Sequence, residues 1–315
     1  MEPRMPRHGA SRLQLQAQPA PAPPPAPAPA PAPPVRPTRT RDAIVVARPS
    51  RRVVVGATAF LAILRRDILV TRREFGSFLL QMLIQPLFFL FVFGKILPEI
   101  GLAQGGYAAL LLPGIVALTL VTTAIQGVAL PLVLDLGFAR EIEDRLLAPL
   151  PIGFVAIEKV LFATLRGLIA GGAIFPLAWL ILGNSFKVRS DAIPTLVGIM
   201  VLTSIAGAAL GLTLGTLVQP QQIGLMFSLI FAPLLFTGST YYPWGRLSTV
   251  RWFQIVTLFN PLTYASEGLR AAMVPPVAGH PIATLSYQWV VAGLVVTFVV
   301  FVTFGMHTFR RRVVS

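Results

Sequence analysis

A-A-L-L-L-P-G-I-V-A-L-T-L-V-T-T-A-I-Q-G-V-A-L-P-L, residues 108–132, holds no ionisable side chain. The run exceeds the ~20 residues that a helix needs to cross the hydrocarbon of a bilayer. A few positions further on the character reverses. G-F-A-R-E-I-E-D-R-L-L-A-P-L-P-I (137–152) crowds Arg140, Glu141, Glu143, Asp144 and Arg145 together and then closes on Pro149 and Pro151. Glu141 precedes Arg145 by one helical turn, the orientation that supports a helix, and proline disfavours helix in the residue before it. A short polar turn is enough to join two spans. A charged, helix-forming patch between two apolar runs reads instead as a docking surface for something outside the membrane, and so for a motor that the chain does not contain.

The composition extends this reading to the whole chain. Of 315 residues, 55% are hydrophobic and 12% charged, against about 45–50% and about 25% in soluble domains. The fold class expected is all-α integral membrane with six transmembrane helices, over about 77–95, 108–132, 157–182, 193–217, 222–240 and 288–309. The absence of cysteine excludes disulfides, Cys-ligated metals and thiol chemistry. A formal charge of +14 would point to nucleic acid in a soluble protein. Here the arginines cluster at membrane flanks and in the N-terminal tail, where the positive-inside rule accounts for them. No nucleic-acid partner is expected; the bilayer is.

Three regions follow. Residues 1–55 form a Pro/Ala- and Arg-rich tail whose stretch Q-P-A-P-A-P-P-P-A-P-A-P-A-P-A-P-P (18–34) cannot build a core and favours polyproline II. The tail has no apolar stretch behind its first arginines and so is not a secretory signal. Residues 56–76 are expected to form an amphipathic interfacial helix. Leu61, Leu64, Ile68 and Phe75 fall at helical spacing, while Arg65–Arg66 and Arg72–Arg73 repeat on the other side. Residues 77–315 make the six-span domain.

Orientation follows from Lys and Arg. With the N-terminus inside, the cytoplasmic side takes the tail, Arg140, Arg145, Lys159 and Arg310 to Arg312. The outside takes Lys95, Lys187, Arg189, Arg246, Arg251 and Arg270. Both termini are then cytoplasmic, 137–152 is cytoplasmic, and 240–287 faces outward. Two ridges of small residues, Ala163/Gly167/Gly171 and Gly207/Gly211/Gly215, recur every four positions and suit close helix packing within a bundle or, alternatively, between subunits.

No catalytic or metal-binding motif is present: no H-E-x-x-H, G-x-S-x-G or G-x-x-x-x-G-K-[ST] occurs, and His8, His280 and His307 are scattered. The chain is therefore read as no enzyme, and energy for transport must come from a partner or an ion gradient. An ion-driven carrier normally carries acids or histidines deep in its spans. The polar set here is Gln81, Gln85, Thr119, Thr122, Thr123, Gln126, Ser204 and Thr213. Thr119, Thr122, Thr123 and Gln126 form one polar stripe, and Gln81 and Gln85 a shorter one. Helix–helix hydrogen bonding and the lining of a translocation path for an amphipathic substrate are both open to them. Arg166, about two turns into the third segment, can snorkel to the cytoplasmic surface or serve a helix or substrate.

The order of these elements resembles the type-2 ABC exporter permease family of drug-resistance, nodulation-factor and polysaccharide exporters, over about residues 56–312. It rests on the elbow helix, the six spans, R-E-I-E-D-R-L-L-A-P-L-P after the second span and N-P-L-T-Y-A-S-E-G-L-R (260–270) before the last. The resemblance implies a permease subunit in the plasma (inner) membrane, paired with a second copy or a related permease. A separate ATPase subunit would bind ATP and Mg, with no cofactor on this chain. It implies that Arg140, Glu141, Ile142, Glu143, Asp144, Arg145 and Leu146 form the cytoplasmic coupling helix, and that Gln81, Gln85, Thr119, Thr122, Thr123 and Gln126 lie on the path. It also implies outer re-entrant helices carrying Tyr241, Tyr242, Trp244, Asn260, Pro261, Glu267 and Arg270, with Glu267 and Arg270 able to pair. A multidrug, lipid or glycan exporter is the expected function. An ion-gradient carrier and a membrane-embedded enzyme or assembly factor are the alternatives.

Overall fold

The computed structural model describes residues 61–62, 64–69, 71–102, 106–139, 152–183, 186, 188–275 and 283–314. The chain divides into two units, Met1–Val46 and Ala47–Ser315, and every described residue lies in the second. The Pro/Ala tail and the charged residues 140–146 fall outside the described residues. Every regular element among those described is helical, and six helices are long and apolar enough to cross a membrane: Phe75–Glu99, Tyr107–Gly137, Gly153–Leu182, Ile193–Leu217, Pro220–Thr237 and Tyr287–Arg312.

These spans contain α1 (Phe75–Phe91), α2 (Tyr107–Leu134), α3 (Ile152–Leu182), α4 (Ile193–Leu217) and α5 (Ile223–Thr237). Between α5 and the last span lie a 3-10 segment (Trp244–Thr249), α6 (Arg251–Leu258) and α7 (Pro261–Met273); α8 (Tyr287–Val314) ends the chain. Two spans run on through π-helical turns, α1 through Val92–Ile96 and α2 through Asp135–Ala139. Helical turns also cover 64–69 and 71–73, within the stretch expected as an elbow.

The second span is the centre of the bundle. Its apolar window is 83% buried and that of α4 67%, against 11–33% for the other four, whose remaining surface is left for lipid. The ridges of small residues explain how. α2 packs against α3, α4 and α7, and without a hydrophobic effect between helices such contacts depend on close approach. A Cβ on Gly211 would stand 2.6 Å from the Ile125 carbonyl oxygen, and one on Gly114 would overlap that of Thr240. Gly207 and Gly215 face Val121 and Ala129, and Gly171 faces Leu120. Both ridges pack on α2 inside one bundle. Hydrogen bonds add to the packing: Ser204 Oγ on α4 donates to the Thr164 carbonyl of α3 at 2.8 Å, and Thr213 Oγ1 on α4 to the Phe301 carbonyl of α8 at 2.6 Å.

A substitution at Gly114 has a clear expected outcome. Overpacking against a side chain costs about 1–3 kcal/mol, and the atom met here is backbone. Gly114→Ala should lower the Tm of the purified protein and its level in membranes. Gly172→Ala, whose added methyl meets nothing within 4 Å, should leave both unchanged. Equal Tm values for the two variants would contradict this packing.

Asn260 and Pro261 open α7. Asn260 Oδ1 accepts from the Leu262 N–H at 2.9 Å, and Pro261 takes the first helical position. The other end of the amide, Nδ2, donates to the Leu234 carbonyl (2.9 Å) and Thr237 Oγ1 (2.8 Å) at the end of α5. One side chain thus caps a helix start and a helix end together.

Candidate functional site

A cleft of about 600 Å³ lies between α1, α2 and α5. Its polar wall is Gln81 and Gln85 from α1 with Thr122 and Gln126 from α2. Its apolar wall comes chiefly from α5, where Phe227, Phe231, Leu235 and Phe236 face inward beside Ser228. The spacing explains the division. Gln81 and Gln85, like Thr122 and Gln126, are one turn apart on their helices, and Phe227, Phe231 and Leu235 repeat the same step. The other flank of α1 carries Leu80, Ile84, Phe88 and Phe91, all exposed large hydrophobics suited to lipid.

The polar stripe on α2 does not act as one unit. At 3.6 residues per turn its four members spread over about 100° of helix circumference. The cleft takes one edge, Thr122 and Gln126. Thr119 and Thr123 are turned into the bundle and are 1% and 2% exposed. The Thr119 and Thr122 hydroxyls donate to the carbonyls four residues back, at 2.8 and 2.7 Å. The amides of Gln81, Gln85 and Gln126 make no side-chain hydrogen bond among the described residues, whereas Ser204 and Thr213 are paired across helices.

Above one end of α1 an aromatic cluster forms. Tyr241 packs on Phe89 and Phe93, ring centroids 5.5 and 5.7 Å away, and the Tyr107 hydroxyl donates to the Tyr241 carbonyl at 3.2 Å. Burial pushes the Tyr241 phenol well above its ordinary pKa. Tyr242 packs at a tilt against Phe253 on α6, ring centroids 6.2 Å apart. Behind this cluster is an ion pair between Glu267 and Arg270, both with fully buried side chains. Glu267 accepts from the backbone N–H groups of Trp244 (2.9 Å) and Leu285 (3.2 Å). Arg270 donates from Nε to the Leu110 carbonyl (3.2 Å) and from Nη2 to that of Ser239 (2.9 Å). Burial pulls the Arg270 pKa down, and the Glu267 carboxylate opposes it. This pair ties the short helices to both the start of α2 and the entry to α8.

At the opposite end of α2, three elements meet on Lys159 of α3. Its Nζ lies 3.5 Å from Asp67 Oδ2, in the helical turns before α1, and 3.9 Å from Asp135 Oδ2, in the π turn that leads toward residues 140–146. Arg166, open to snorkelling or to serving a helix or substrate, lays its guanidinium over the Phe78 ring of α1, 4.4 Å from the centroid. Neither Asp67 as a partner of Lys159 nor the aromatic wall of α5 is legible in the sequence. The step of four in Phe227 and Phe231 marks a helix face, but nothing local says which face meets the cleft. Among the described residues no group of His, Cys, Asp and Glu could hold a metal ion.

The chain is similar to known membrane proteins over most of its length. Residues 58–274 match the family model described as ABC-2 type transporter. Nodulation protein J of Rhizobium leguminosarum bv. trifolii is 26% identical over 230 residues, covering 72% of this chain and 84% of that protein. Nodulation protein J of Neorhizobium galegae is 24% identical over 261 residues, covering 82% and 95%. The inner membrane transport permease YadH of Escherichia coli (strain K12) is 26% identical over 182 residues, covering 57% and 68%. What matches is the membrane permease of such transporters, a transport subunit and not an ATPase. The match spans more than half of the chain, from the elbow stretch through α7, and the chain belongs to the ABC-2 type transporter family.

Proposed function

We propose that this chain is the permease subunit of an ATP-driven exporter in the inner membrane, that it moves an amphipathic substrate outward through the α1–α2–α5 cleft, and that a separate ATPase supplies the energy. The carrying observation is the cleft itself: amides without a hydrogen bond among the described residues face an aromatic wall between three of the six apolar helices. Polar groups in a membrane face protein, water or cargo. The permeases among the relatives support the class, and YadH carries inner membrane in its name. In this reading a second permease copy closes the open side of the cleft. ATP and Mg sit on the partner ATPase, residues 140–146 form the coupling helix on the cytoplasmic side, and α6 and α7 are the outer re-entrant helices. Both termini are cytoplasmic, and the 64–73 turns lie along the inner leaflet.

The chain's lack of cysteine makes the test direct. A cysteine at Ser248 should react with an impermeant thiol reagent outside sealed cells, and one at Ser11 should not. A cysteine at Thr122, once alkylated with a bulky maleimide, should block substrate-stimulated ATPase of the co-expressed complex. Labelling at Ser11 would overturn the orientation. Full stimulation after complete alkylation at position 122 would remove the cleft from the path.

A further inference from the structure

Along α3, about 10 Å inward from Lys159 at 1.5 Å per residue, stands a cation that the bundle leaves without a counter-ion. We propose that Arg166 holds the phosphate of an anionic phospholipid headgroup at the inner end of the α1–α3 contact, a site apart from the α1–α2–α5 cleft. The leaflet follows from the orientation with both termini cytoplasmic; the binding itself does not depend on it.

The side chain is anchored at its stem and open at its head. A Cβ on Gly127 of α2 would meet Arg166 Cδ at 4.0 Å, so the stem passes along the close α2–α3 contact. The guanidinium stands over the Phe78 ring of α1, and the Phe162 ring of α3 is 5.9 Å away. Contact through a ring face uses none of the five N–H donors of the group. Nε is buried without a hydrogen-bond partner. No carboxylate among the described residues comes within ion-pair distance. Glu74 acts on the guanidinium only across a longer gap and is itself exposed. A partly buried cation with unmet donors is unfavourable until an anion pairs with it.

The surroundings select a lipid as the source of that anion. Ile157, Leu161 and Leu165 of α3 and Phe75 and Leu80 of α1 are exposed, so acyl chains flank the arginine. Before α1 come Arg72 and Arg73, and seven residues earlier Arg65 and Arg66, all exposed. Such a basic series draws anionic headgroups to this edge of the bundle. An arginine can lie on an aromatic face and still offer a planar fork to two phosphate oxygens, which a lysine cannot. Phe78 precedes Gln81 of the cleft by three residues, so a lipid seated here steadies the helix that carries the cleft's polar wall.

Native mass spectrometry of the detergent-purified full chain tests the site, with dioleoylphosphatidylglycerol, dioleoylphosphatidylcholine and inorganic phosphate as probes. The wild type should retain phosphatidylglycerol about tenfold better than Arg166→Gln, the scale of a lost hydrogen bond to a charged group. Phosphatidylcholine, whose ammonium offsets its phosphate, should be retained less, and excess inorganic phosphate should not displace the anionic lipid. Glu74→Gln should raise retention, since it removes a like charge beside the bound phosphate. Arg166→Lys should retain less than wild type, because an ammonium lacks the fork. These two variants carry the test if Arg166→Gln yields no folded protein. Equal retention in wild type and Arg166→Gln, or no gain in Glu74→Gln, overturns the site and leaves Arg166 as a clamp between α1 and α3. Equal retention of the two lipids overturns the anionic headgroup, and displacement by inorganic phosphate overturns the lipid. Retention that falls only in Arg65→Gln/Arg66→Gln moves the contact to the elbow. None of these outcomes bears on the cleft, whose alkylation test reads ATPase stimulation.

Discussion

Arg270→Met is expected to destabilise the permease by about 3–5 kcal/mol, the scale for breaking a buried ion pair by removing one partner. The variant leaves the Glu267 carboxylate buried and uncompensated, and it takes a donor away from the Leu110 and Ser239 carbonyls. Both residues are 0% exposed, so no water reaches in to replace the lost bonds. Glu267→Gln should destabilise as well, because Trp244 and Leu285 donate to separate carboxylate oxygens and the single amide oxygen can accept from only one of them. Thermal unfolding of the detergent-purified protein, with its level in membranes, measures both. A Tm for Arg270→Met within a degree of wild type would show that the pair is dispensable. The double variant Glu267→Gln/Arg270→Met should recover part of the loss, since no unpaired charge remains. Recovery would identify the charge, and not the packing of the long side chain, as the main source of the effect.

The same pair shows how far sequence reaches in this molecule. The three-residue spacing of Glu267 and Arg270 makes their pairing legible, because it is a property of one helix. Their complete burial is not legible, because it depends on the 239–244 turn, the start of α2 and Leu285, all remote in sequence. Six apolar helices can be read from run lengths alone, and only their ends shift by a few residues. α1 runs to Glu99 through a π turn instead of stopping near Lys95, and α3 starts at Ile152. The small-residue ridges are visible as a period of four, but their common partner, α2, emerges only when helices are assembled. The polar stripe on α2 is the clearest limit. Its four residues share one face by spacing, yet the boundary between cleft and core runs down the middle of that face. Lys159 meets Asp67 across 92 positions, and no pattern in either segment announces the contact.

That contact bears on the last expected result, which concerns the charged segment after α2. Reversing Glu143 and Asp144 to Lys should leave the permease folded in the membrane while its ATPase loses stimulation by at least about tenfold. Close charge pairs at interfaces are worth more than the 1.4 kcal/mol that such a factor requires. The segment is short and rich in both signs of charge, and in isolation the Glu141–Arg145 pair adds only about 0.2–0.5 kcal/mol to a helix. Its charges are thus poor at stabilising the permease and well suited to setting register with a partner. The segment is reached from α2 through Asp135, which shares Lys159 with Asp67. A push received at 140–146 would be delivered at this point to α2, whose Thr122 and Gln126 line the cleft. Lys159→Gln should therefore weaken coupling while the ATPase still co-purifies, and Lys159→Arg should restore it. The Glu143/Asp144 reversal should lower co-purification itself. Wild-type ATPase stimulation in the double reversal would sink the docking reading. Loss of co-purification in Lys159→Gln would place that lysine in the docking surface and not behind it.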